Sequence, residues 1–310
     1  MSKILVTGGA GFIGSHVVEA YLNDGHEIVV IDNLSTGKRE YLPNQTKFYQ
    51  IDITSAQEVQ QLVANEKPDV INHHAAHIQV GYSVQDPIFD AQNNILGTIN
   101  LLEAAQQVGT VKQIIFASTG GAMYGNQPTP FREDMPALPL SPYGVSKRSA
   151  ELYLNYYQSQ YHINYVVLRY ANVYGPRQNP HGESGVVAIF LEKIMKGEQP
   201  VINGKGTNTR DYVHVKDVAR ANLSALQFGN SGIFNIGTGI ETSANEVFNI
   251  VAKHSGYQQK AQHGPARPGE QQTSSLDSSL AKQKLSWEPT VSFEDGVADL
   301  CQQLGLPAAS

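Results

Sequence analysis

Tyr143-Gly144-Val145-Ser146-Lys147 places a phenol and an ammonium four residues apart, and so on one face if the segment is helical. A phenol ionises near pH ~10, too high for a base at neutral pH. A lysine ammonium one turn away, helped by any further positive charge, favours phenolate and lowers that value. Such a pair can take a proton from a substrate hydroxyl while hydride leaves the same carbon. By itself the spacing is common on solvated helices. It gains weight from Ser118-Thr119-Gly120-Gly121-Ala122-Met123-Tyr124-Gly125 upstream, which offers a hydroxyl to bind the substrate oxygen and steady the developing ketone. Thr119 is the expected carrier, with Ser118 as the alternative. The blander account is that both hydroxyls cap a turn.

A second stretch supplies a place for a hydride acceptor. In Gly8-Gly9-Ala10-Gly11-Phe12-Ile13-Gly14 the glycines permit a tight turn, close backbone approach to a pyrophosphate and close packing of helix on strand. A helix opening at Phe12 and Ile13 would face its N-terminus to the anion. A glycine pattern alone is a weak signal. Here an apolar strand precedes it, a helix follows, and Asp32 closes the next strand. Asp32, with Asn33 beside it, is placed to accept hydrogen bonds from ribose hydroxyls. A 2′-phosphate would meet a like charge there, which favours NAD over NADP, although Lys38 and Arg39 are near enough to leave NADP open.

The elements that must hold these residues alternate. Apolar runs predict strands at 4–7, 27–31, 48–51, 69–72, 113–117 and 164–169. Helices are expected from 12 to a stop at Gly25, from a capping box Ser55-Ala56-Gln57-Glu58 to Pro68, at 95–108 and at 143–160. This order gives an α/β chain with a doubly wound parallel (Rossmann) sheet. Beyond residue 170 the pattern loosens. A helix follows Asp217, a strand is expected at 233–236, and Ser243-Ala244-Asn245-Glu246 is a second capping box. The expected organisation is an NAD-binding domain over 1–170, with segments returning near 211–237, and a smaller, partly discontinuous substrate-binding domain over 171–310.

Composition narrows the partners. Of 310 residues 41% are hydrophobic, enough for sizeable cores; 22 basic residues against 28 acidic ones give a net charge of -6, which argues against a sequence-independent nucleic-acid binder. Cys301 is the one cysteine, so neither an internal disulfide nor a Cys-rich metal site can form. No apolar run approaches the ~18 residues of a membrane span, and the N-terminus runs straight into the glycine cluster with no signal-peptide core. A cytoplasmic protein without nucleic-acid or membrane partners is expected. His73, His74 and His77 invite a metal reading, but the run lacks the Glu of a zinc-protease helix and begins at a strand end, so no metal is expected.

The Gly-x-x-Gly-x-x-Gly spacing, together with Tyr143 and Lys147, resembles the extended short-chain dehydrogenase/reductases, the NAD-dependent epimerase/dehydratase family, over nearly the whole chain. The resemblance implies that Asp52-Ile53 flank the adenine, that His74-Ala75-Ala76 line the nicotinamide ribose, and that Asn94 opens the central helix. Gly8, Gly11, Phe12, Ile13, Gly14, Asp32, Asn33, Tyr143, Lys147 and Tyr170 complete the implied cofactor contacts. In relatives His77 is commonly Gln, which leaves its role open. Many relatives also carry the catalytic Ser or Thr where Gly120 stands here.

Leu168-Arg169-Tyr170-Ala171-Asn172-Val173-Tyr174-Gly175-Pro176-Arg177 and Arg210-Asp211-Tyr212-Val213-His214-Val215 are similar to signatures of the family's sugar-nucleotide members. That likeness implies Asn172 on the diphosphate, Arg210 and Arg267 as two guanidinium forks clamping it, and Glu270 on the uridine ribose. It also implies Val186 and Val187 along the uracil, and Ser274 gating the sugar pocket. Family dehydratases carry an Asp-Glu pair where Gly120 and Gly121 lie, so dehydration is disfavoured. The implied activity is NAD-dependent inversion at C4 of a UDP-hexose through a 4-keto intermediate, on UDP-glucose and UDP-galactose and on their N-acetyl counterparts. A sugar-nucleotide reductase or dehydrogenase with net NAD(P)H turnover, another nucleotide-sugar epimerase, and a non-catalytic NAD-binding scaffold are the alternatives. Relatives pair the helices at 95–108 and 143–160 into a four-helix bundle, and with Tyr153, Tyr156 and Tyr157 on the latter a homodimer is expected.

Overall fold

The structure is a computed structural model that describes residues 1–180, 185–266 and 271–307. Its strands are β1 (Lys3–Thr7), β2 (Glu27–Asp32), β3 (Lys47–Gln50), β4 (Val70–His73), β5 (Gln113–Thr119), β6 (Asn164–Tyr170), β7 (Asn172–Tyr174), β8 (Val201–Asn203), β9 (Thr209–His214), β10 (Gly232–Ile236), β11 (Glu241–Ser243) and β12 (Gln262–Gly264). The helices are α1 (Phe12–Asn23), α2 (Ala56–Glu66), α3 (Val80–Gln85), α4 (Pro87–Ala91), α5 (Gly97–Val108), α6 (Pro142–Tyr161), α7 (Val186–Met195), α8 (Val215–Gln227), α9 (Ala244–Ser255), α10 (Ser279–Leu285) and α11 (Phe293–Gln303).

Seven strands form one sheet in the order β10-β6-β5-β4-β1-β2-β3, parallel throughout. Both faces are covered, so successive side chains on a strand enter different cores. Ile4 and Val6 pack with Val17 of α1 and Val218 of α8. Leu5 packs on the other face with Leu62 of α2, Leu101 of α5 and Leu154 of α6. That two-sided burial is why the strands read as unbroken apolar runs. The strand order reverses between β1 and β4, and the carboxyl ends of these two strands open the crevice where such sheets bind ligands.

A second core lies in the C-terminal half, where β7, β9 and β11 form a three-stranded sheet. Val187, Phe190, Val247, Phe248, Val297 and Leu300 fill it, and the lone cysteine, Cys301, is buried there. β10 returns from this half to the edge of the main sheet, beside β6.

Three local expectations are corrected. The Ser55 side chain makes no cap bond to α2, because Ser55 sits at ψ 88°, short of the extended cap geometry. The Ser243–Glu246 box does form, with ψ 159° at Ser243. The helix expected over 95–108 begins with a π turn at Gln92–Leu96, and α5 proper starts at Gly97. Gly97 is where α5 meets the loop after β3: a Cβ there would lie 2.6 Å from Ile53 Cδ1. β5 runs on to Thr119, two residues past the expected end.

The last residue of α2, Glu66, ties β1 and β3 together through Lys3 (2.8 Å), Lys47 (2.6 Å) and the Tyr49 hydroxyl (2.5 Å). Burial works against its charge, but these donors prevail and hold its carboxyl down at about 2. A depressed carboxylate stabilises the fold above its unfolded value and loses that contribution as pH falls toward the folded one. Glu66→Gln should therefore cost about 1–3 kcal/mol at pH 7. Urea unfolding should show the gap between variant and wild type closing as pH falls from about 5 toward 2.

Candidate functional site

Ser141 caps α6, its hydroxyl accepting the Gly144 N–H at 3.2 Å, and Pro142 occupies the first turn, where no N–H is needed. The helix thus starts one residue before Tyr143. Tyr143, Lys147 and Glu151 follow at i, i+4 and i+8 on one face. Lys147 is buried, donates to the Ala117 carbonyl at 2.9 Å and lies 4.7 Å from the centroid of the Phe116 ring. Burial lowers its ammonium to about 8, against the pull of Asp90 and Glu151.

Tyr143 is under opposing influences. Burial raises its phenol above the ordinary value, the Asp90 carboxylate raises it further, and a hydrogen bond with the Thr119 side chain lowers it. The Lys147 ammonium itself is engaged by the Ala117 carbonyl and the Phe116 ring.

The two candidate hydroxyls point to different places, because neighbouring residues on a strand face opposite ways. Ser118 follows Ile114 and Phe116 under α6, where its hydroxyl donates to Glu151 Oε1 at 2.7 Å. Thr119 ends β5 at the crevice beside Tyr143, and its Oγ1 accepts the Ala122 N–H at 3.2 Å. At Gly120, where many relatives carry the hydroxyl, a Cβ would lie 2.5 Å from Leu276 Cδ1, so a side chain there requires the buried Leu276 to shift. At Gly121 a Cβ would meet only Asn172 Oδ1, at 3.6 Å.

Glu151, which the sequence reading missed, anchors this arrangement. It receives Arg169 Nε at 2.9 Å and Nη2 at 2.6 Å, Arg148 Nη1 at 2.9 Å, and Ser118. Arg169 Nη1 continues to the Tyr124 hydroxyl at 2.8 Å, which donates to Asn235 Oδ1. Its i+8 spacing from Tyr143 was the one available signal.

The glycine loop fits a dinucleotide. A Cβ at Gly8 would meet the backbone of Ala75 at 2.6 Å, and one at Gly14 the Gly8 carbonyl at 2.2 Å. Gly11 caps α1 with no side-chain bond, and no acidic residue stands in the first turn, so the N–H groups at Phe12 and Ile13 are left for an anion. Asp32 accepts Ala10 N–H at 3.0 Å and Leu34 N–H at 2.8 Å. Burial still raises its carboxyl above the usual range. Lys38 pairs with Glu40, and Arg39 stacks on Phe48 and donates to the Leu42 carbonyl. These partners engage both cations, and the Asp32 carboxylate suits a free 2′-hydroxyl as its acceptor. Asn33 donates to Asp52 at 2.8 Å, which also takes Thr54, and Ile53 is buried behind them.

Beyond β4 the three histidines part ways. His73 is buried between the Thr7 hydroxyl at 2.7 Å and the Thr98 hydroxyl at 3.0 Å. His74 meets Asn72 and, at 3.1 Å, the Tyr170 hydroxyl; burial and Lys147 hold it neutral, at about 3. Ala75 N–H donates to Thr7 Oγ1 at 3.1 Å, and Ala76 follows toward the crevice. His77 is gripped at its backbone by Asn94, whose amide also reaches Ser146 of α6 at 3.1 Å. Asn94 thus sits in the π turn and bridges this loop to α6. Tyr170 is buried with its hydroxyl committed to His74 and Asn222.

On the substrate side, Asn172 faces the Gly121 loop and Arg210, on β9, donates to the Thr209 carbonyl at 2.7 Å. Arg267 and Glu270 lie outside the described residues. Val187 is fully buried among Phe190 and Leu191, so of the two valines only Val186 has surface to offer a base. Ser274 is buried where its segment pairs with Phe131 through one isolated bridge at Leu276, whose side chain covers Gly120. On the outer face of α6, Leu152, Tyr153 and Tyr156 are exposed and, with Ser149, line a groove of about 460 Å³. Tyr157, expected beside them, turns inward to Glu103 of α5.

Residues 4–237 match the model of the NAD dependent epimerase/dehydratase family. The chain is 44% identical over 303 residues to UDP-glucose 4-epimerase of Mycolicibacterium smegmatis, covering 96% of each chain. It superposes on UDP-glucose 4-epimerase of Thermotoga maritima, solved with UDP-glucose, at a TM-score of 0.95, with 45% identity and 98% of each chain covered. The Thermus thermophilus UDP-glucose 4-epimerase in complex with NAD gives 0.92 at 43% identity, covering 98% of this chain and 99% of the other.

The Glu151 anchor makes a stability prediction. Glu151→Gln leaves the Arg169 guanidinium buried without its counter-charge and should cost roughly 3–5 kcal/mol. Ser118→Ala should cost about 1–2 kcal/mol, and Thr119→Val no more than about 1 kcal/mol, all read from urea midpoints at pH 7.5.

Proposed function

The chain belongs to the NAD-dependent epimerase/dehydratase family, and from that premise we propose that it inverts C4 of a UDP-hexose, interconverting UDP-glucose and UDP-galactose. The observation that carries this reading is the meeting of Thr119, Tyr143 and Lys147 at the carboxyl end of β5, beside the glycine cradle. NAD is the cofactor; when bound it takes a hydride from the substrate and gives it back, so no net redox results. The glycine loop, Asp32 and the Asn33–Asp52 pair would hold its adenosine half, and His74, Tyr143 and Lys147 its nicotinamide riboside.

Tyr143 takes the proton from the sugar O4 and returns it after the ring has presented its other face. The raised phenol of the protein alone means that positive charge at the site must offset burial and Asp90 before the proton leaves. Thr119 donates a hydrogen bond to O4 and steadies the 4-keto sugar. Lys147 contributes positive charge in its protonated form, which burial lowers to about 8. Asn172, Arg210 and Arg267 hold the diphosphate while the sugar turns, and Glu270 and Val186 hold the uridine. Gly120 and Gly121 supply no acid–base pair for elimination, and a side chain at Gly120 would require Leu276 to shift.

Two finer points belong to the same proposal. Ser274 lacks the ring that would collide with a C2 acetamido group, which supports turnover of the N-acetyl sugars as well. The exposed apolar face of α6 supports pairing of two chains through this helix and α5, by burial of Leu152 and Tyr156.

Incubation with UDP-glucose and NAD should yield UDP-galactose by NMR, with no net change in the NADH absorbance band; stoichiometric NADH would instead mark a dehydrogenase. Tyr143→Phe should lower kcat by about 10²–10⁴-fold with NAD still bound. Ser274→Tyr should remove turnover of UDP-N-acetylglucosamine while keeping that of UDP-glucose; equal loss of both would mean that Ser274 is not the gate. Light scattering should give a dimer, and Leu152→Glu/Tyr156→Glu a monomer.

A further inference from the structure

Glu241, on β11, is a carboxylate that the reaction above does not use. It gathers three hydroxyls from three parts of the chain. Thr129 Oγ1 donates to its Oε1 at 2.5 Å, Thr209 Oγ1 to its Oε2 at 2.6 Å, and Ser275 Oγ to its Oε1 at 3.3 Å. Thr129 belongs to the loop between β5 and α6, Thr209 opens β9 beside Arg210, and Ser275 follows Ser274. Thr129 first, then Thr209 and Ser275, hold the carboxyl below its usual range against burial. The three bonds are thus made to a charged acceptor, the stronger kind of hydrogen bond.

The Ser275 segment is held from other sides by its backbone. Phe131 N–H donates to the Ser275 carbonyl and Asp277 N–H to the Phe131 carbonyl, both at 2.8 Å. Leu276 N–H donates to Asp211 Oδ2 at 3.2 Å, and Thr209 N–H to the Gln272 carbonyl at 2.9 Å. Asp211 and Glu241 are register partners across β9 and β11. Two carboxylates on paired strands therefore hold successive residues, Leu276 by its main chain and Ser275 by its side chain. Ser274, buried, comes just before them, and the Leu276 side chain covers Gly120. Of these ties, the one between Ser275 and Glu241 depends on side chains at both ends.

We propose that Glu241 is a positioning residue for substrate selectivity, which holds Ser275 and thereby fixes where Ser274 stands in the sugar pocket. The proposal rests on the reading of Ser274 as the gate. An acetamido group at C2 is larger than a hydroxyl by a carbonyl and a methyl, so the N-acetyl sugar needs the space beside Ser274 kept clear. With Ser275 untied, Ser274 can enter that space, and the N-acetyl sugar must push it back at a cost in binding. The plain hexose leaves the space empty and meets no such cost. Thr129 and Thr209 brace the carboxylate from the loop after β5 and from the strand that carries Arg210. Glu241 therefore stays in place if the segment slips, and the bond to Ser275 resists the slip.

The test measures binding to the full chain carrying its NAD, in a Tyr143→Phe background so that bound sugar is not converted. By titration calorimetry, Glu241→Ala should weaken UDP-N-acetylglucosamine about 5-fold and leave UDP-glucose unchanged. Ser275→Ala should give the same selective loss, and the double variant no more than either alone, since both remove one bond. Hydrogen exchange should rise over 271–277 in Glu241→Ala and stay unchanged over α6. Equal weakening of both sugar nucleotides, which a purely structural role predicts, overturns the proposal, as do additive losses in the double variant or a parent that binds UDP-glucose alone. If Glu241→Ala does not fold, Ser275→Ala decides. If Ser274→Tyr excludes the N-acetyl sugar while Glu241→Ala changes nothing, the gate stands and the anchor falls. If neither sugar nucleotide binds, the functional reading has failed, and unchanged exchange over 271–277 then overturns the anchor as well.

Discussion

A carboxylate buried beneath the sheet's end cannot be hydrated and must be matched by donors in fixed places. Glu151 is matched by the fork of Arg169 on β6, by Arg148 of its own helix and by Ser118 on β5. A planar guanidinium accepts one orientation of its partner, so the pair fixes how far α6 slides along the sheet and how it is rotated. Lys147 is one turn before Glu151 and Tyr143 one turn before that. Setting Glu151 therefore sets where the phenol arrives. The same bond holds Ser118 under the helix, and the pleat then leaves Thr119 at the crevice.

A second buried network extends from the site into the sheet. Asn72 donates to the Tyr21 hydroxyl at 2.9 Å and to Asn222 Oδ1 at 2.8 Å, and Asn222 donates to Tyr170 at 2.9 Å. His74 closes the chain between Asn72 and Tyr170. Together these bonds tie α1 and β4 to β6 and α8. A neutral His74 held this way presents a fixed edge to the crevice without adding charge beside Lys147. Thr119, Tyr143 and Lys147 stand on regular elements, and beside Gly120 the Leu276 side chain packs with Met123 and Tyr124.

Part of this was legible in the residues themselves. Tyr143 and Lys147 are readable because four residues of helix bring them together whatever else the chain does. The glycine loop is readable because its turn, its helix start and Asp32 are each local demands. Asp90 and Ser83 carry no such signal, and although Asn94 was expected to open the central helix, nothing in its spacing tells that it reaches Ser146 of α6. The capping sequence at Ser55 matched the one at Ser243, yet only the latter closes, since the turn entering α2 sets the Ser55 dihedral. Val187 follows the apolar pattern of a ligand wall and of a core helix equally well, and packing decided for the core.

The sequence by itself determined what period and chemistry dictate over a few residues: the alternation of strands and helices, the anion-binding turn, the acid for ribose hydroxyls and the phenol–ammonium pair. The tertiary structure alone decided which of two adjacent hydroxyls reaches the phenol, which groups the Lys147 ammonium meets, and that burial and Asp90 make the Tyr143 phenol a weaker acid. The reason is physical. Spacing along an element fixes relative direction within that element, but desolvation and long-range charge are sums over everything packed around a group. Those neighbours, here Thr119 on β5, Asp90 on α4 and Glu151 held by Arg169, come from segments that only the folded sheet brings together.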